Sequence, residues 1–475
     1  MTNLQAYQVG MIGLGTMGCN LVLNMNDSGY RVAGYDKDIS KIDILNKLAT
    51  NDSLKAFSDI KDFAAALQTP RIIMLLVPAG KVVDYVINDL VPLLQPEDII
   101  IDCGNSHFTD TAIRVETLSK LKLHFVGIGI SGGETGARYG PSIMPGGDKE
   151  VYPLIAPILQ AVAARVNDQP CTAYMGNGAA GHYVKMVHNG IEYALMQLIS
   201  EAYHLLKIKA GYTNEQLHAL FDGWNKGRLK AYLIEITAAI FLQKDENGKG
   251  YLLDNILDTA QQKGTGAWMS QDAMTIQSPI PSIDASVSQR MLSALKQERM
   301  IAAAANKLDQ QPIQKNPIEN LPALLEEALH AACMICYSQG MTMLRQGSIY
   351  YKFDIPIKDV AAIWRGGCII RASMLEDIMQ AYNNDEALNN LVMAPAFALP
   401  LRNALGALKE IVKTGVDNNI PLPAFSACLN YYLSYHSAWL PANLVQAQRD
   451  FFGAHTYERT DSEGTFHTIW NETIQ

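Results

Sequence analysis

The chain has no uninterrupted apolar stretch of 18 residues, the length a membrane-crossing helix needs. Its opening, Met1-Thr2-Asn3-Leu4-Gln5, lacks the basic and apolar pattern of a secretory signal, so the expectation is a soluble cytoplasmic protein. Basic residues are in deficit: 38 Lys plus Arg against 47 acidic residues leave a formal charge of -9, which argues against nonspecific attraction to nucleic acid or anionic membrane. A few converging basic side chains could still receive an anionic metabolite. The seven cysteines are odd in number and scattered over 475 residues, which excludes a disulfide framework as the organising device. Cys333-x-x-Cys336 is the close pair, and with no second Cys or His set beside it the expectation is two small buried thiols and no metal. No internal repeat or low-complexity tract is present.

What is present begins with a nucleotide fingerprint. Tyr7 to Gly13 reads as a short strand, followed by Leu14-Gly15-Thr16-Met17-Gly18 and a helical run from Cys19 to Ser28. Gly13-x-Gly15-x-x-Gly18 therefore sits in the strand-turn-helix context in which glycines permit a tight turn, approach by a pyrophosphate and close helix packing. A second strand, Tyr30 to Tyr35, ends at Asp36, where a carboxylate could accept hydrogen bonds from ribose hydroxyls. The runs 72–77, 99–102 and 123–129 read as further buried parallel strands. Loops at the carboxyl ends of such strands form the usual ligand rim, which marks Val77-Pro78-Ala79-Gly80, Gly104-Asn105-Ser106 and Ser131-Gly132-Gly133. Each has a plain alternative as turn geometry.

Beyond Gly178 the alternation gives way to helical patterning, with helices expected over roughly 179–209, 213–225, 228–243, 286–307, 320–345 and 371–382. The expected fold is an α/β Rossmann-like domain over 1–178, a large all-α domain over 179–437 and an extended, irregular tail over 438–475. The most informative segment is Lys185-Met186-Val187-His188-Asn189-Gly190-Ile191-Glu192-Tyr193. On one helix Lys185, His188, Asn189 and Glu192 share a stripe, with Lys185 and Glu192 about 10 Å apart, a spacing that can bracket a small substrate. The alternative is a solvated polar face with His188 merely paired to Glu192.

These segments together resemble the decarboxylating 6-phosphogluconate dehydrogenases over nearly the whole chain. The matching blocks are Leu-Leu-Val-x-Ala-Gly at 75–80, Gly-Asn-Ser at 104–106, Ser-Gly-Gly-Glu-x-Gly-Ala-Arg-Tyr-Gly-Pro-Ser at 131–142 and Gly-His-Tyr-Val-Lys-Met-Val-His-Asn-Gly-Ile-Glu-Tyr at 181–193. Others are Tyr-Leu-Ile-Glu-Ile-Thr at 232–237, Gln-Lys-Gly-Thr-Gly at 262–266, Trp-Arg-Gly-Gly-Cys-Ile-Ile-Arg at 364–371 and the run 442–455.

The resemblance implies oxidation and decarboxylation of 6-phospho-D-gluconate to D-ribulose 5-phosphate and carbon dioxide, with Lys185 as base and Glu192 as acid. It implies that Lys263, Arg290 and Arg449, with Tyr193 and Thr265, hold the phosphate. Asn105, Ser131, Gly132, Gly133, His188 and Asn189 match positions around the carboxylate and sugar hydroxyls. Arg449 and His455 match a tail that in the family reaches the partner subunit, implying a homodimer with shared sites. Gly13, Leu14, Gly15, Thr16, Met17, Gly18, Asp36, Lys37, Asp38, Val77, Pro78, Ala79 and Asn105 fall at the dinucleotide. Here the chain departs from the pattern: members preferring NADP commonly carry Asn-Arg-Ser/Thr where it has Asp36-Lys37-Asp38, and a Lys where it has Pro78. Asp36 would meet a 2'-phosphate with like charge, so the expectation leans to NAD, with NADP kept open by Lys37. A related 3-hydroxyacid dehydrogenase and a noncatalytic nucleotide-sensing scaffold are the competing readings.

Overall fold

A computed structural model describes residues 6–248, 250–262, 264–306 and 320–470. The chain divides into two compact units, Met1–Cys428 and Leu429–Gln475. The first is built on a seven-stranded sheet of order β3-β2-β1-β4-β5-β6-β7. Its strands are β1 (Val9–Ile12), β2 (Val32–Tyr35), β3 (Leu54–Phe57), β4 (Ile72–Leu75), β5 (Ile99–Asp102), β6 (His124–Ser131) and β7 (Ser142–Gly146). All neighbours pair in parallel except β6 and β7. The helices α1 (Thr16–Asp27), α2 (Ile39–Leu48), α3 (Ile60–Ala65), α4 (Lys81–Leu90), α5 (Phe108–Ser119), α6 (Gly133–Tyr139) and α7 (Tyr152–Val162) accompany them.

Both sheet faces are buried, which explains the unbroken apolar strands. Met11, Val32, Ile72, Met74, Ile99 and Ile101 enter one core. Their alternate neighbours Ile12, Ala33, Tyr35, Ile73, Leu75 and Ile100 enter the other. Strands β3 and β7 go beyond the expected set: Leu54–Phe57 is short and half exposed, and Ser142–Gly146 contains Pro145 and pairs at the sheet edge, where proline is tolerated.

After a ribbon of β8 (Arg165–Val166) and β9 (Gln169–Pro170) the helical part begins with α8 (Ala180–Lys209). It continues through α9 (Asn214–Trp224), α10 (Tyr232–Leu242), α11 (Thr265–Thr275), α12 (Pro281–Ala294), α13 (Lys296–Asn306), α14 (Leu321–Tyr351), α15 (Ile357–Ile363), α16 (Met374–Asn384), α17 (Pro395–Asp417) and α18 (Pro423–Tyr435), the last spanning the division between units. The single helix expected over 286–307 is two, because the backbone bends at Leu295 between them. Cys333 and Cys336 lie buried on α14, and Cys336 Sγ is 3.9 Å from Cys428 Sγ.

The second unit corrects the expectation of an irregular tail. It carries α19 (Ala442–Gly453) and a hairpin of β10 (Tyr457–Glu458) and β11 (Thr465–Phe466). Asp450 organises this unit: its buried carboxylate accepts from Thr456 N, Thr468 N and Trp470 Nε1 and faces His467 Nδ1. Burial alone would raise its pKa, but these partners hold it well below the usual carboxylate range. No described helix is long and apolar enough to cross a membrane.

Helix α8 lies flush on β6 and β7 because glycines line the contact. A Cβ at Gly181 would overlap the carbonyl oxygens of Gly127 and Met144, and one at Gly129 would overlap Lys185 Cβ. Gly181→Ala should therefore cost about 1–3 kcal/mol in denaturant unfolding, since backbone must shift. Gly406→Ala, on an exposed α17 position with open space around it, should gain about 1 kcal/mol from helix propensity. Equal effects at the two positions would contradict this account of the packing.

Candidate active site

The glycine contact places the α8 stripe against the carboxyl end of the sheet. Lys185 (7% exposed), His188 (0%) and Asn189 (8%) are buried, and the Glu192 side chain keeps 21% exposure. That rules out the solvated-face reading, although the expected proximity is there: His188 Nδ1 is 3.8 Å from Glu192 Oε2. The same nitrogen is 3.3 Å from Asn189 Oδ1, while Nε2 is 3.2 Å from the Ser131 hydroxyl. Burial drives the His188 pKa well down, and neighbouring Lys185 adds to the effect. The imidazole is therefore neutral at physiological pH and serves as a hydrogen-bonding group.

Lys185 and Glu192 shift in opposite directions. Desolvation lowers the Lys185 pKa from its ordinary value, opposed by attraction to Glu192. Desolvation raises that of Glu192, opposed by Lys185 and Arg290. Burial penalises the charged form of each, so their affinities for a proton move toward one another.

Ser131 ends β6, and the Gly132 φ of 125° and Gly133 φ of 62° form the turn into α6. A Cβ at Gly132 would fall 2.6 Å from the Gly367 carbonyl oxygen, so only glycine fits there. The loop after α15 closes this side: Ile369 N donates to Ser131 Oγ at 3.4 Å, and Trp364 packs edge-on to His188 with ring centroids 5.5 Å apart. Trp364 and Ile369 were not candidates on sequence grounds. Their block, 364–371, stood among the matched motifs, and that was the available signal.

Beside the stripe, α11 and α12 bring further candidates together. The Arg290 guanidinium stacks 3.4 Å from the Tyr193 ring centroid, a cation–π contact that keeps it next to α8. Thr265, at the first position of α11, is buried, and its neighbour Gly266 abuts the same tyrosine ring. Lys263 lies outside the described residues. Arg449 and His455 belong to the second unit, where Arg449 Nη1 donates to Gln446 Oε1 at 3.0 Å and His455 packs against Phe452.

Along the same carboxyl edge of the sheet the fingerprint forms a cradle. Gly13 turns the chain with φ 97°, and a Cβ at Gly18 would overlap the Gly13 carbonyl oxygen. Gly15 caps α1, and Thr16 and Met17 open that helix without an acidic residue in its first turn, leaving amides for a pyrophosphate. Asp36 Oδ2 accepts from Leu14 N at 2.8 Å and Oδ1 from Asp38 N at 2.9 Å, while Lys41 Nζ lies 3.4 Å from Oδ2. Asp38 caps α2 through Ser40 N, and Lys37 pairs with Asp89 at 3.1 Å. Val77, Pro78 and Ala79 follow β4, and Asn105, exposed, follows β5. This cradle, with a carboxylate at the end of β2, fits a dinucleotide.

Two family models match the chain: the NAD binding domain of 6-phosphogluconate dehydrogenase over residues 8–176 and the C-terminal domain of 6-phosphogluconate dehydrogenase over residues 181–470. A relative from Bacillus subtilis (strain 168), an NADP(+)-dependent, decarboxylating 6-phosphogluconate dehydrogenase, is 47% identical over 98% of this chain and 100% of its own length. A decarboxylating 6-phosphogluconate dehydrogenase from Klebsiella pneumoniae is also 47% identical, over 99% of this chain and all of the relative. Among solved structures, the Plasmodium falciparum 6-phosphogluconate dehydrogenase, described in its apo form and with NADP+ and with 6-phosphogluconate, superposes with a TM-score of 0.94 at 40% identity, covering 98% of this chain and 100% of that one.

Proposed function

This chain belongs to the 6-phosphogluconate dehydrogenase family, and we propose that it oxidises and decarboxylates 6-phospho-D-gluconate to D-ribulose 5-phosphate and carbon dioxide. The observation that carries the reading is a buried amine and a largely enclosed carboxyl group on one helix face, seven residues apart, with oppositely displaced pKa values. A dinucleotide held by the Gly13–Gly18 turn and Asp36 would supply the acceptor for the hydride that leaves C3. Lys185, deprotonated, takes the proton of the C3 hydroxyl as that hydride leaves. The resulting C3 ketone is beta to the C1 carboxylate, so the C1–C2 bond pair can flow onto the C3 oxygen as carbon dioxide departs. Lys185, now protonated, stabilises the oxygen of the enediol. Glu192, whose burial favours its protonated form, delivers a proton to the former C2, which becomes C1 of the ketose, as the enediol collapses.

The same reading assigns Ser131, Gly132, Gly133, His188, Asn189 and Asn105 to the carboxylate and hydroxyls. Neutral His188 suits a hydroxyl, since it can both donate and accept. Tyr193, Thr265 and Arg290, with Lys263, receive the phosphate, and an arginine already stacked on an aromatic ring is pre-oriented for two directed bonds. Arg449 and His455 complete the site of a partner subunit in a homodimer. With 6-phosphogluconate, carbon dioxide and reduced cofactor should appear in equal amounts. Lys185→Met should lower both about 10²–10⁴-fold. Glu192→Gln should spare substrate binding and slow ketose formation from the enediol. Verified mixed dimers of Lys185→Met and Arg449→Ala subunits should regain activity through one intact site. Reduced cofactor without carbon dioxide would refute the reaction, undiminished ketose formation by Glu192→Gln the acid role, and absent recovery the shared site.

The dinucleotide is read as NAD in preference to NADP. Asp36, at the end of β2, would meet a 2'-phosphate with like charge, and Lys37, the cation nearest in sequence, is engaged by Asp89. Parallel kcat/KM measurements at fixed ionic strength should favour NAD, and Asp36→Asn should narrow that advantage about tenfold or more by removing like-charge repulsion. A wild-type preference for NADP that is lost on Lys37→Ala would overturn this assignment and leave the substrate chemistry standing.

A further inference from the structure

Behind the two rim loops lies a buried polar cluster that the proton transfers above do not use. Asp102, the last residue of β5, is fully buried. Its Oδ1 accepts from Gly104 N at 3.0 Å, and its Oδ2 accepts from the Ser106 hydroxyl at 2.6 Å. One carboxylate thus grips the chain on both sides of Asn105. Arg114 of α5, 6% exposed, holds Nη1 3.5 Å from Asp102 Oδ2. Its other nitrogens reach the first rim loop: Nη2 donates to the Gly80 carbonyl at 3.0 Å and Nε to Asp84 Oδ1 at 2.7 Å. The two loops also touch directly, since a Cβ at Gly104 would stand 3.2 Å from the Val77 carbonyl oxygen.

The cluster continues into the catalytic helix. His182, buried in the first turn of α8 and three residues before Lys185, has Nδ1 2.6 Å from Thr111 Oγ1, one turn ahead of Arg114 on α5. Desolvation keeps this imidazole neutral, against the attraction of Asp102. A buried ion pair with this many directed bonds adds little net stability over an apolar core, so its use is better sought in geometry. Its bonds converge on the backbone of the two loops that rim the site.

We propose that Asp102 and Arg114 form a positioning unit: one carboxylate and one guanidinium lock the Asn105 loop to the Val77–Gly80 loop and, through Thr111 and His182, fix both relative to Lys185. This rests on the reading that these loops receive the dinucleotide and substrate. The role needs a planar, forked cation, because Arg114 donates to Gly80 O and Asp84 Oδ1 while its third nitrogen stays in ion-pair range of Asp102 Oδ2; lysine, a point charge, could satisfy only some of these.

The test uses full-length Asp102→Asn, Arg114→Met, Arg114→Lys and Ser106→Ala. Ser106→Ala keeps both charges in place and so guards against a mere failure to fold. Amide hydrogen exchange, dinucleotide affinity by calorimetry, and steady-state kinetics are read together. Asp102→Asn and Arg114→Met should speed exchange in 77–80 and 103–107 about tenfold or more. They should weaken dinucleotide binding about 10- to 100-fold, with KM rising more than kcat falls. Arg114→Lys should recover part of the loss, and Ser106→Ala should show a smaller change confined to 103–107. Unchanged loop exchange, or exchange raised evenly across the sheet with dinucleotide affinity intact, would overturn the positioning role alone. Loops that loosen while affinity stays at wild-type level would overturn it together with the assignment of these loops to the ligand.

Discussion

Burial of an amine and a carboxyl group on one face of α8 is the constraint on which the rest depends. An isolated charge in such surroundings is costly, and proteins meet the cost by shifting the proton instead of holding the charge. Lys185 is pushed toward its neutral form and Glu192 toward its protonated form, each partly held back by attraction to the other. A base that is neutral and an acid that is protonated at the same pH are what a reaction needs when it removes a proton from one carbon's hydroxyl and later supplies one to another carbon.

The sheet creates that burial. Glycines at 127, 129 and 181 remove the side chains that would hold α8 away, so its polar stripe faces β6 and the Ser131 turn and not solvent. The same sheet ends its central strands in the loops that rim the site, and Asp102, at the last position of β5, links the core to those loops. Polar satisfaction is divided accordingly. The rim loops are held by a charged cluster with fixed partners, whereas His188 bonds to Ser131 on one side and Asn189 on the other.

Legibility of these features in the sequence follows their physical scale. The fingerprint, the central strands and α8 are legible because each is local: glycines in a turn, continuous apolar runs, a polar stripe at helical spacing. The edge strands β3 and β7 are not, since their pairing is decided by distant neighbours and their patterns are weak. Helices α17 and α19 are obscured by prolines or by an amphipathic pattern without a long apolar face: Pro400 lies inside α17, and α19 leaves Leu444, Val445 and Phe452 exposed. The stripe on α8 reveals which residues share a face but not whether that face is wet, which depends on glycines some fifty residues earlier in β6. The Asp102 cluster is assembled from β5, α4, α5 and α8, and no single segment displays it.

The central claim is tested most directly by titrating Lys185 itself, through the 15Nζ resonance assigned by its loss in Lys185→Met, alongside the pH dependence of kcat/KM. The account predicts an amine that titrates below the ordinary lysine value of 10.5 in the free enzyme, moves upward in any variant that admits water to the α8 stripe, and coincides with the acidic limb of kcat/KM. A Lys185 that titrates at the ordinary value while the enzyme remains fully active at neutral pH would contradict it.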